Sequence, residues 1–115
     1  MSKDYEEIAN TLSRKMKEVG KGKPDAVAAF GQLGKAVYED AALTRRHKEL
    51  IALAIAITVR CDGCVAFHAK QSFDAGASRD EVIDCIGVAV QMGGGPSMVY
   101  GAEALSAYDQ FAGGR

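Results

Sequence analysis

Cys61-Asp62-Gly63-Cys64 is a C-x-x-C motif, and His68 follows four residues after its second cysteine. On a helix, Cys61 and Cys64 are i, i+3 neighbours, and Cys64 and His68 are i, i+4 neighbours. Two thiols and an imidazole therefore share one stripe. If the motif opens the helix, unpaired N–H groups and the positive end of the helix dipole stabilise a thiolate, which is the nucleophilic form of cysteine. The same spacing lets the two sulfurs approach disulfide geometry without unwinding the helix. The chemistry these residues point to is a dithiol–disulfide cycle with a base beside Cys64.

Glu49 joins the group by a rise argument. It lies ten residues before Val59, ~15 Å back along a helix, and His68 lies seven residues beyond Cys61, ~10 Å into the next one. A short link folding the two helices into an antiparallel hairpin brings both side chains to comparable depth. The carboxylate would then orient His68 or relay its proton.

Other readings of these residues stay open at this point. Cysteine is a common core residue, and positions 61, 64 and 68 also make a core-facing pattern. A C-x-x-C begins many zinc sites, but Cys85 and His47 would have to complete this one from distant helices. Covalent c-type haem needs a histidine directly after the second cysteine, where this chain has Val65. Gly93-Gly94-Gly95-Pro96-Ser97 lacks the lysine of a phosphate-binding loop and reads as a helix break. Arg45, Arg46 and Lys48 read as a solvated helix end, with His47 solvent-facing, and Cys85 reads as a small core residue. No cofactor or metal is expected.

The elements that must position these residues read as six helices, and the fold class expected is an all-α bundle in one domain. Tyr5, Ile8, Leu12, Met16 and Val19 mark an apolar stripe over residues ~3–19, interrupted by Gly20 to Lys23. Pro24 suits the first turn of a second helix carrying Val27, Phe30, Leu33, Val37 and Tyr38 to near Asp40. Thr44 caps a third, running to about Val59, whose second half LIALAIAITV is apolar on nearly every face. A fourth starts near Cys61 or Asp62 and ends at Ala75, with Gly76 as a left-handed stop. Ser78 and Glu81 form a capping box for a fifth, with Val82, Ile83, Ile86, Val90 and Cys85 on its core face. Pro96 opens the last helix, through Phe111.

The 115 residues carry 14 basic and 15 acidic side chains, a net charge of −1, so neither nucleic acid nor an anionic membrane is an expected partner. With 48% hydrophobic residues and two prolines, the chain is ordinary globular material. The longest apolar run, Leu50 to Val59, is half the ~20 residues a membrane-spanning helix needs. The charged N-terminal stretch has no signal-like apolar run, so a cytoplasmic location is expected, where paired cysteines are kept reduced.

The pattern E-x11-C-x2-C-x3-H at Glu49, Cys61, Cys64 and His68 resembles the carboxymuconolactone decarboxylase superfamily, in its alkyl hydroperoxidase D-like branch. The apolar helix before the first cysteine and the D-A-G-A-S break after the histidine share the likeness, which spans residues ~25–110. The resemblance implies an all-α fold assembled as a homotrimer or homohexamer, and reduction of hydroperoxides or disulfides. It implies that Cys64 is oxidised to sulfenic acid, Cys61 resolves it, His68 takes the Cys64 proton, and Glu49 supports the relay. An external dithiol, lipoyl-like or thioredoxin-like, would regenerate the pair. The chain departs from alkyl hydroperoxidase D proper in its shorter length and at Gly63, where that protein has a histidine. The decarboxylase branch lacks the cysteine pair. Lactone decarboxylation therefore ranks below redox work, beside a non-catalytic binding or stress protein of the same fold. An oligomer is also expected from the chain itself, because six short helices can hardly cover the all-round apolar helix from Leu50 to Val59.

Overall fold

The computed structural model describes residues 3–113, and all of their regular structure is helical. The elements are α1 (Tyr5–Gly22), α2 (Pro24–Val37), α3 (Arg45–Val59), α4 (Asp62–Asp74), α5 (Arg79–Gly93) and α6 (Gly95–Phe111). Each boundary has a local cause. Asp4 caps α1 by accepting the N–H of Glu7, and Thr44 caps α3 by accepting that of His47. Ser78 and Glu81 form the reciprocal capping box on α5. Gly76 and Gly94, both at positive φ, turn the chain after α4 and between α5 and α6.

Several boundaries differ from the sequence expectation: α2 ends at Val37 rather than near Asp40, and α4 at Asp74 rather than Ala75. α1 continues through Gly20 to Gly22, because the Lys23 N–H still donates to Val19 O at 2.9 Å. Pro24, which lacks an N–H and disfavours helical backbone at the residue before it, ends the helix instead. α6 begins at Gly95, one residue before the expected Pro96.

Helices α3 to α6 form the central body: α3 packs on α4 and α5, and α6 packs on the same two. Its interior is alanine-rich, with Ala56, Ala66, Ala69, Ala89, Ala104 and Ala107 around Leu53, Ile57, Val65 and Val82. Small side chains let helix axes approach closely. At Gly101 of α6, a Cβ would stand 2.6 Å from Ile86 Cγ2 of α5. The first half of α1 lies across α4 and α6, burying Tyr5 and Ala9.

The outer parts depart from the expected core. Leu12, Met16 and Val19, on the expected α1 stripe, are exposed. Helix α2 packs chiefly on α1 and buries no residue; Phe30 is 77% exposed. The helix carries the stripe, but none of the described residues covers the distal half of the α1–α2 arm. The arm accounts for a radius of gyration of 14.2 Å, where a chain this long packs to roughly 13 Å. Ile83, expected in the core, is 42% exposed, since the buried stripe of α5 runs through Val82 and Ala89. Ile83 is turned ~100° from Val82 on the helix and points outward. Helix α3 buries Leu53, Ala56 and Ile57 but leaves Ile51, Ile55 and Val59 exposed.

Candidate active site

Arg60 adopts left-handed backbone at φ 58°, ψ 51°, reversing the chain between α3 and α4. Cys61 follows as the N-cap of α4 in extended backbone, and its Sγ accepts the Cys64 N–H at 3.2 Å. Cys64 is thus the third residue of the helix. The two cysteines form a disulfide with their Cα atoms 5.2 Å apart, within the ordinary bridging range. In the reduced protein, both sulfurs would lie among the unpaired N–H groups of the first turn of α4, which favour a thiolate.

Glu49, on the first half of α3, is 3% exposed. Its Oε1 lies 2.8 Å from Nδ1 of the half-buried His68 on α4. With Glu49 as a carboxylate, which only accepts hydrogen bonds, the contact requires the hydrogen on Nδ1 and leaves Nε2 as the ring's other nitrogen. The hairpin of α3 and α4 thus brings Glu49 and His68 together at one depth.

Cys64 and His68 line one cavity of about 210 Å³, with Tyr38, Ala52, Ile55, Ala56 and Val59 as its other walls. Thiol and imidazole therefore meet the same small, mostly apolar space, whose rim includes exposed Ile55 and Val59.

Tyr38 is the site residue that sequence reasoning missed. It follows the last residue of α2, and its ring centre lies 5.9 Å from that of His68, tilted by 36°. Burial pushes its phenol pKa up, and the Glu49 charge adds to the effect. Lys48 holds the segment around it by donating to the carbonyls of Val37 at 2.8 Å and Glu39 at 2.6 Å. No spacing in the sequence pairs Tyr38 with His68, because they meet across three helices. Lys48 and its neighbours lie at the partly solvated helix end that the sequence suggests, with Arg45 exposed, and they add contacts between elements. Arg45 donates to Gln71 at 2.7 Å, and Arg46 pairs with Glu81, so all three cations tie elements together.

Cys85 and His47 lie elsewhere, lining an apolar groove with Leu43, Leu50, Ile51, Ala54 and Val88. The Cys85 thiol donates to Leu50 O at 3.0 Å, and burial pushes its pKa up. Neither residue joins the Cys61–Cys64 pair, and among the described residues no group of three or more His, Cys, Asp or Glu side chains could hold a metal ion. No helix among the described residues is long and apolar enough to cross a membrane. Gly63 has a packing role: a Cβ there would stand 2.5 Å from Leu12 Cδ1, so α1 occupies the space a side chain would need.

A family model described as the carboxymuconolactone decarboxylase family matches residues 24–107. The fold is similar to the apo form of a carboxymuconolactone decarboxylase family protein from Legionella pneumophila. The TM-score is 0.92 at 37% identity, covering 94% of this chain and 96% of that one. A family protein from Thermotoga maritima, with a suggested part in the antioxidative response, shares the fold. Its TM-score is 0.80 at 23% identity, covering 93% of this chain and 91% of that one. An uncharacterized protein of Cupriavidus necator is 34% identical over 109 residues, covering 95% of this chain and 96% of that one.

Proposed function

The chain belongs to the carboxymuconolactone decarboxylase family, and from that premise we propose that it is a thiol-dependent oxidoreductase reducing hydroperoxides or disulfides through Cys61 and Cys64. The observation that carries this reading is the 2.8 Å contact of buried Glu49 with His68, whose ring lines the same cavity as Cys64. In the first step the Cys64 thiol gives its proton to His68 Nε2, while Glu49 supports the imidazolium through Nδ1. The thiolate attacks the terminal oxygen of a hydroperoxide. The O–O bond breaks, Cys64 becomes a sulfenic acid, and the departing alkoxide takes the proton from His68 to leave as an alcohol.

Cys61 then attacks the Cys64 sulfur; the S–O bond breaks, the proton lost by the Cys61 thiol goes to the departing hydroxide, and the disulfide forms as water leaves. An external dithiol, lipoyl-like or thioredoxin-like, supplies the two electrons that restore the pair and is itself oxidised to a disulfide. A cavity of about 210 Å³ suits hydrogen peroxide or a small organic hydroperoxide. The test is hydroperoxide consumption with a dithiol reductant, comparing wild type with Cys64→Ser. The variant should lose the activity, and equal rates would overturn the proposal.

The same reading includes a homo-oligomer, trimer or hexamer, acting in the cytoplasm. What supports assembly is the apolar surface left uncovered by one chain: Phe30, Leu33 and Val37 on α2, and Ile51, Ile55 and Val59 on α3. Exposed apolar stripes of this kind on a helix face are typical of protein contacts. Because Ile55 and Val59 also rim the thiol cavity, a neighbouring subunit seated there would wall it from water.

A further inference from the structure

A second group of charged side chains gathers at the start of α4, and the cycle above makes no use of it. Asp62, directly after Cys61, is the first residue of the helix. Its Oδ2 lies 3.0 Å from Lys3 Nζ, and its Oδ1 accepts the Tyr100 hydroxyl at 2.9 Å. Lys3 also reaches the buried Glu103 at 2.9 Å, and the Tyr5 hydroxyl donates to the same Glu103 oxygen at 2.5 Å. Asp4, Glu7 and Asp62 line the groove running past Gly63. The ionisable groups on the elements packed about the start of α4 are thus Asp62 and His68 on α4, Glu49 and Arg60 on and after α3, Glu103 and Tyr100 on α6, and Lys3, Asp4 and Glu7 at α1. Lys3 is the cation that meets Asp62.

Asp62 has a physical conflict with its neighbours. A carboxylate at the first turn stabilises the helix, yet it competes with a thiolate for the same positive helix end and repels it. Here both carboxylate oxygens are engaged, one by an ammonium and one by a phenol. The hydrogen bond from Lys3 in particular holds the Asp62 carboxyl below its usual range.

We propose that Lys3 and Tyr100 are positioning residues for the dithiol: by binding both oxygens of Asp62, the residue that follows Cys61 at the start of α4, they offset part of its negative charge, and so tune the thiolate stability and reduction equilibrium of the Cys61–Cys64 pair. In the exchange with dithiothreitol, the Cys61–Cys64 bond breaks and two electrons and two protons pass to the protein. The reagent leaves as its cyclic disulfide. Whatever destabilises a protein thiolate pulls this equilibrium toward the protein disulfide, and whatever stabilises it does the reverse.

The proposal concerns the pair on which the proposed function rests, but its test needs no peroxide. In a Cys85→Ala background, thiolate absorbance gives the lower thiol pKa, and equilibration with dithiothreitol at about pH 8, near the free thiol range, gives the exchange constant. Lys3→Met should raise the thiol pKa by about half to one unit. It should also shift the exchange constant roughly three- to tenfold toward the disulfide, tenfold being about 30 mV. Asp62→Asn keeps the side-chain shape and should move both readouts the other way. Tyr100→Phe should follow Lys3→Met more weakly, and Lys3→Arg should stay near wild type. Shifts in the same direction for Lys3→Met and Asp62→Asn, as general loosening would give, overturn the proposal. So does an unchanged thiol pKa in Asp62→Asn. Opposite shifts in a protein that reduces neither hydroperoxides nor disulfides would overturn the proposed function and leave this inference standing.

Discussion

Glu49 illustrates how one buried side chain defines a site. A carboxylate that is 3% exposed must have a partner, and its partner is a histidine that also faces a cavity. His68→Ala should slow peroxide-dependent thiol oxidation by roughly 10²-fold or more, the usual range for a lost general base. Glu49→Gln should lower the rate less and displace its pH profile, because Gln cannot stabilise the imidazolium; stopped-flow rates from about pH 5 to 9 separate the two. Cys85→Ser should leave turnover unchanged, since its thiol lines a different groove and is held protonated by burial. Asp62 makes a separate prediction about stability. Its folded-state pKa is depressed, so its contribution is present above the ordinary aspartate range near ~3.9 and is lost as pH falls through the lower folded value. The stability gap between wild type and Asp62→Asn, measured by urea unfolding, should be full at about pH 6 and narrow as the pH falls below the ordinary aspartate range.

At the scale of elements, the turn from α3 to α4 presents the thiol pair, and it is made by an arginine in left-handed backbone. That conformation costs an L-residue ~1–2 kcal/mol, and glycine adopts it freely but gives back ~0.5–1 kcal/mol in unfolded-chain entropy. Arg60→Gly should therefore raise stability by roughly 0.5–1 kcal/mol, read as a higher urea midpoint at unchanged slope. Gly63→His should do the opposite. The new side chain needs only the exposed tip of Leu12 to swing aside, so the loss should be small, ~0.5 kcal/mol or less. Helix starts were the most legible feature of the chain: Thr44 and Ser78 were identified as caps because capping is a bond within four residues. The outward turn of Ile83 was not legible, because two neighbouring helices decide which arc of α5 is buried, and periodicity leaves that rotation free.

At the scale of the molecule, the α1–α2 arm presents an apolar stripe of Phe30, Leu33 and Val37 that none of the described residues covers. In the proposed oligomer a second chain would cover it. Phe30→Glu should therefore reduce the molar mass measured by light scattering toward that of a single chain while the helical circular dichroism of the central body persists. An unchanged mass would remove α2 from the interface. If a neighbour walls the thiol cavity, the same variant should also lose peroxide turnover in proportion to the loss of assembly.

What the sequence alone determined here is local. The helix caps, the apolar stripes, the i, i+3, i+4 spacing of Cys61, Cys64 and His68, and the depth match of Glu49 all follow from helix rise and from bonds spanning a few residues. Tertiary structure decided the rest: which stripes are covered, that Tyr38 stands against His68, and that Lys3 and Tyr100 reach Asp62 from the two ends of the chain. Those contacts join residues separated by tens of positions, and they depend on how helices rotate and cross when they pack. One-dimensional periodicity carries no information about that geometry.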